Sequence, residues 1–111
     1  MEAKTRTIES YVTPKGHAPF EEWLSGVKDK RYVARILQRI DRVRLGNFGD
    51  CKSVGSGVHE LRIQFGPGFR VYFGIVDSQV VLLLSGGDKS SQKKDIELAH
   101  EYWKEYQEDA K

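Results

Sequence analysis

The sequence predicts an α+β fold: a mostly antiparallel, four-stranded sheet with two N-terminal helices and one C-terminal helix. Two patterns carry that expectation. From residue 59 to residue 76, apolar and polar residues alternate with the period of two that a strand imposes, interrupted by one tight turn, and a second turn leads into an apolar run at residues 80–84. On either side of this stretch, apolar residues recur at the spacing of a helix face. Strands and helices are grouped along the chain, which favours α+β over an alternating α/β order.

Thr5 to Val12 reads as the first strand, with Ile8 and Val12 among polar neighbours. Thr13-Pro14-Lys15-Gly16 turns the chain. Ala18-Pro19 opens a short helix, because proline is tolerated in a first turn that needs no donor. Phe20, Trp23, Leu24 and Val27 form its apolar stripe, and Glu21 and Glu22 sit at the positive end of the helix dipole. A longer helix runs from about Lys30 to Leu45. Val33, Ile36, Leu37, Ile40 and Val43 share one face, while Arg31, Arg35, Arg39 and Arg42 fall on nearly the opposite one. Gly46-Asn47-Phe48-Gly49 supplies the chemistry to end it.

A meander of three strands follows. Leu61, Ile63 and Phe65 alternate with Glu60, Arg62 and Gln64, and Gly66-Pro67-Gly68 turns the chain. Phe69, Val71, Phe73 and Ile75 then alternate with Arg70, Tyr72 and Gly74. After Asp77-Ser78, the apolar run Val80 to Leu84 suits a central strand. A last helix spans about Ser91 to Glu108, with Ser90 or Ser91 as cap. It buries Ile96, Ala99, Trp103 and Tyr106, with Tyr102 at the edge of the stripe. Two amphipathic helices then cover the apolar side of the sheet. The other side, carrying Arg62, Arg70 and Tyr72, is expected to stay open.

A chain of 111 residues suits one domain, residues 1–111, with a core of its own. The single cysteine, Cys51, allows no internal disulfide and no cysteine-cluster metal site, and it fits a reducing cytoplasm. His17, His59 and His100 are scattered, so no metal or other cofactor is expected. No apolar run approaches membrane-spanning length, and MEAKTRTIES lacks the apolar centre of a signal peptide. The net charge of +2 hides an asymmetry. Residues 28–52 hold eight Lys and Arg against three Asp, whereas residues 95–111 hold six acids against two Lys. A polyanion would be drawn to the first segment and repelled by the second.

There is no phosphate-binding glycine loop, no HExxH and no nucleophile–base pair. The chain offers cations beside a tyrosine, a set that suits a phosphodiester and the negative charge that develops on it. RNA brings its own nucleophile, the 2′-hydroxyl. Cleavage then needs positioning, charge stabilisation and a proton carrier. Arg62 and Arg70 are the candidate phosphate clamp, Lys89 a candidate acid or base, and Tyr72 a candidate for base stacking or proton donation. Arg35, Arg39 and Arg42, with Lys93 and Lys94 at the start of the last helix, are candidate RNA contacts. The same residues also fit a plain solvated surface.

Three runs carry a resemblance: APFEEWL (18–24), GVHELRIQFGPGFRVYFG (57–74) and VLLLSGGDKSSQKKDIELAHEYW (81–103). In their order and combination the chain resembles the addiction-module killer proteins, a HigB-like branch of the RelE/ParE toxin superfamily. The resemblance implies a small RelE-like fold and a cytoplasmic toxin of a type II toxin–antitoxin system. It implies inhibition of translation by metal-independent endonucleolytic cleavage of mRNA, commonly on the ribosome. The implied partner is a cognate helix-turn-helix antitoxin that neutralises the toxin by direct binding. By position, Arg70 in GPGFR matches the arginine used at the scissile phosphate, and Arg62 and Lys89 match other basic positions of the active surface. Many RNA-cleaving relatives place His or Tyr near the C-terminus as proton donor. Here none follows GGDK until His100 and Tyr102. Two alternatives share the fold: a ParE-like gyrase poison, and a non-catalytic module that binds the antitoxin and helps repress their operon.

Overall fold

The computed structural model describes residues 4–110. It has five strands, not four, in the order β1-β5-β4-β3-β2. β1 (Thr7–Ser10) runs parallel to β5 (Val80–Gly87), and this is the one parallel pair among the described residues. β5 pairs antiparallel with β4 (Phe69–Val76), β4 with β3 (His59–Ile63), and β3 with β2 (Cys51–Ser53). Three α-helices accompany the sheet: α1 (Pro19–Ser25), α2 (Lys30–Arg44) and α3 (Gln92–Asp109), the last entered through a 3₁₀ turn at Lys89–Ser91. The architecture is α+β, that of a small RelE-like fold.

Short-range chemistry sets the ends of these elements. Asp29 caps α2, its carboxylate accepting the Arg31 amide at 2.9 Å and the Arg31 guanidinium at 2.9 Å. Asp88 caps the 3₁₀ turn by accepting the Ser90 amide at 2.8 Å. β2 escaped the sequence because a three-residue edge strand has no room to show a period. It forms because a turn at Val54–Val58, closed by a 2.9 Å bond from the Val54 amide to the Val58 carbonyl, lays Cys51–Ser53 back along β3.

The alternation along β3 and β4 is as expected, but its environment is not. α1 and α2 cover one face of the sheet, burying Phe20, Ile36, Ile40 and Val43 against Leu61, Val71 and Phe73. The opposite face is not open. α3 lies across β4 and β5 there and closes a second core of Tyr11, Val58, Tyr72, Leu82, Leu84, Ala99 and Trp103. The apolar stripe of α3 and the nearly all-apolar β5 demand this arrangement, since a strand buried on both faces needs cover on both. Gly74 makes the contact possible: a Cβ at this position would run into the Trp103 ring. Leu37, expected in the buried stripe of α2, is 48% exposed, because the helix contacts the sheet along Ile36, Ile40 and Val43.

Candidate functional site

α3 leaves one corner of its face of the sheet uncovered, and Arg62 and Arg70 stand in it. They are directly opposite each other on β3 and β4. With Lys89 and the Phe65–Phe69 turn they line a groove of about 480 Å³. Gly68 takes a φ of 81°, which favours glycine, and the Lys89 stem lies beside it in ordinary contact. Three of the four residues assigned to the catalytic set are thus brought into one groove.

The fourth, Tyr72, is not. It is fully buried beneath α3, so it cannot stack a base as expected of an open-surface tyrosine. Its hydroxyl donates to Glu60 Oε2 at 3.1 Å. Burial, reinforced by the Glu60 charge, pushes its phenol far above the ordinary tyrosine value.

Glu60 is the residue that sequence reasoning missed. The strand alternation places it at a polar, outward position, yet its side chain is fully buried. Oε1 accepts Arg62 Nε at 3.1 Å, and Oε2 accepts Gln92 Nε2 at 2.8 Å as well as the Tyr72 hydroxyl. Arg70 Nε lies 3.7 Å from Oε2, an ion pair without a hydrogen bond. Burial by itself would push the Glu60 carboxyl up. The bonds from Gln92, Arg62 and Tyr72, with the Arg70 charge, outweigh it and hold the group below the usual carboxylate range. Glu60, Arg62, Arg70 and Tyr72 occupy one sheet face at alternate positions, which is the signal that could have revealed the cluster.

Arg70 is 13% exposed, and its Nε and Nη1 are buried without a hydrogen-bond partner among the described residues. Both atoms are shielded from solvent, so what Arg70 offers an incoming anion in the groove is its charge more than these two donors.

A second groove of about 410 Å³ adjoins the first and shares Arg62, Ile63, Gln64 and Phe65 with it. Arg35, Arg39 and Arg42 of α2 form its wall. The basic helix face and the strand arginines therefore make one continuous cationic track. Within it the arginines differ. Arg35 lies over the Phe65 ring at 4.5 Å. Arg39 holds the loop after α2, donating to the Phe48 carbonyl at 2.5 Å and the Asp50 carbonyl at 3.2 Å. Arg42 is exposed. Gln64, with its amide nitrogen donating to Asp50 at 2.8 Å, stands where the grooves meet. Lys93 and Lys94 are exposed on the first turn of α3 and line neither groove.

The histidines lie elsewhere. His59 stacks on Phe73 on the far face of the sheet, with ring centroids 5.3 Å apart, and its burial holds the imidazole below its usual value. His100 binds the Val54 carbonyl at 3.0 Å. Among the described residues, no group of His, Cys, Asp and Glu converges to hold a metal ion, and no helix is long and apolar enough to cross a membrane.

The family model described as "Phage derived protein Gp49-like (DUF891)" matches residues 22–104, which contain both grooves and the Glu60 cluster. The chain belongs to the Gp49-like family. An uncharacterized protein of Haemophilus influenzae is 52% identical over 80 residues, covering 72% of this chain and 81% of that protein. The Gp49-like family is a RelE/toxin-like family, associated with the toxins of toxin–antitoxin systems, and such membership implies an antitoxin partner.

Proposed function

We propose that this Gp49-like protein is the toxin of a type II toxin–antitoxin module of the HigB-like kind, and that it inhibits translation by cutting mRNA endonucleolytically on the ribosome. The observation that carries this reading is the groove that brings Arg62, Arg70 and Lys89 together. In this reading the 2′-hydroxyl of the RNA attacks the adjacent phosphorus and the P–O5′ bond breaks. The products are a 2′,3′-cyclic phosphate and a 5′-hydroxyl. One proton leaves the 2′-oxygen and one is delivered to the 5′-oxygen. Arg70 and Arg62 hold the phosphate and stabilise the charge gathering on its equatorial oxygens. Lys89, at the rim of the groove, is the proton carrier. Arg35, Arg39 and Arg42 lead the strand toward the groove by its phosphates. The chemistry needs no metal, because the nucleophile and the cations come from the RNA and the protein. The cognate antitoxin would be a small helix-turn-helix protein, and the site of action the cytoplasm.

The test is primer extension on an abundant transcript after a short induced pulse of the protein in bacteria. New cuts within translated codons are expected, and they should vanish with Arg70→Ala in a variant of unchanged fold. Cuts that persist in that variant would overturn the site assignment. Intact transcripts with arrested growth would overturn RNA cleavage and direct attention to gyrase, assayed by supercoiling with the purified enzyme. Intact transcripts with normal growth would leave a binding module that holds its antitoxin.

A further inference from the structure

We propose that Glu60 is a positioning residue: it holds the guanidinium groups of Arg62 and Arg70 side by side in the groove without itself touching RNA. The inference rests on the cleavage reading for its effect on rate, but not for its geometry. Arg62 and Arg70 are register partners on adjacent strands and project from the same face. Like charges directly opposite on a sheet repel, so an unrestrained pair would splay apart. Glu60 stands beneath them, fully buried and touching both: Oε1 takes Arg62 Nε at 3.1 Å, and Oε2 faces Arg70 Nε at 3.7 Å. By taking Arg62 through Nε, it leaves both Nη atoms of that residue for the groove.

The carboxylate is itself held from two further directions. Tyr72 on β4 donates at 3.1 Å, and Gln92, the first residue of α3, donates at 2.8 Å. Pinned in this way, Glu60 cannot follow either arginine toward solvent. A buried ion pair is a weak source of stability, since desolvating the charges offsets most of their attraction. Geometry is what such a cluster supplies. The two guanidiniums and the one carboxylate sum to one positive charge, and Lys89 at the rim adds a second cation to the groove.

The experiment pairs Glu60→Gln, which keeps shape and an acceptor but removes the charge, with Gln92→Ala, which removes only one support of the carboxylate. The first readout is NMR of the arginine Nε–Hε groups in the free protein. Wild type should give separate, slowly exchanging signals for Arg62 and Arg70. Glu60→Gln should shift them to the free-arginine position while backbone amide dispersion persists, and Gln92→Ala should give a partial shift. The second readout is steady-state cleavage of ribosome-bound mRNA. A fall of about 100-fold in kcat is expected for Glu60→Gln, the size of loss that misplacing a catalytic group by about 1 Å can cause, with KM changing less than about threefold. Unchanged arginine signals in folded Glu60→Gln would overturn the proposal, as would a loss confined to KM. If Glu60→Gln does not fold, Gln92→Ala decides: arginine signals and kcat equal to wild type would overturn the proposal. If wild type cuts no RNA, the cleavage reading falls, and the arginine signals still decide whether Glu60 positions the pair.

Discussion

Tyr72 and His59 each illustrate how one side chain takes its chemistry from what packs over it. The Tyr72 ring fills the core beneath α3 and only its hydroxyl does polar work, on Glu60. Tyr72→Phe should therefore keep the packing and lose one buried hydrogen bond to a charged group, costing about 1.5–3 kcal/mol in urea unfolding. Growth arrest should weaken no more than with Gln92→Ala, since each change removes one support of Glu60; complete loss in a folded variant would return Tyr72 to the role of proton donor. His59 gives a pH dependence whose sign follows from its burial. Its imidazole binds a proton less readily in the fold than in the unfolded chain, where the value is about 6.5. The unfolded state thus takes up more protons as pH falls through that value. Stability should be full above about pH 7 and decline below about pH 6.5. Urea midpoints from pH 7.5 to 5 should show the decline, and His59→Phe should reduce it. An equal decline in the variant would place the cause elsewhere.

Among the elements, α3 carries the largest consequence, because it converts an expected open face into a second core. Its fit depends on Gly74, where the Trp103 ring takes the space a side chain would use. The Trp103 ring cannot swing away as the tip of a lysine could, since it stacks on Tyr106 with centroids 5.7 Å apart. Gly74→Ala should overpack this contact and cost about 1–3 kcal/mol by denaturant titration, with a loosened α3 visible as faster amide exchange. A variant as stable as wild type would mean that the sheet and α3 separate easily. α2 contributes differently: its buried stripe sets the core, and its opposite face supplies the wall of the second groove.

At the scale of the whole molecule, charge is arranged as a track. α2, β3, β4 and the 3₁₀ turn bring Arg35, Arg39, Arg42, Arg62, Arg70 and Lys89 along two adjoining grooves, while the acids of α3 line neither. Binding of an RNA oligonucleotide should weaken steeply with salt, because each phosphate contact releases condensed counterions. Arg42→Ala, at an exposed arginine of the wall, should reduce the slope of log K against log salt by about 1 and weaken binding alike for all sequences. Anisotropy titrations at several salt concentrations would measure it. An unchanged slope would remove Arg42 from the RNA path.

The sequence by itself determined the element types, the two turn clusters of the meander, and which residues of β3 and β4 share a face. Each of these follows from local rules: a period of two or 3.6, and the dihedral preferences of Gly, Pro and Asp. It also placed Arg62, Arg70 and Lys89 together, since strand alternation and two short turns suffice to bring them near. Only the tertiary structure decided that α3 crosses to the other face, that β2 exists, and that Tyr72 is buried. Those outcomes depend on contacts between segments far apart in the chain, such as Gln92 with Glu60 and Trp103 with Gly74. Glu60 marks the boundary. Its position on the strand was legible, but whether a glutamate at that position meets water or becomes the buried anchor of two arginines depends on the helix that closes over it.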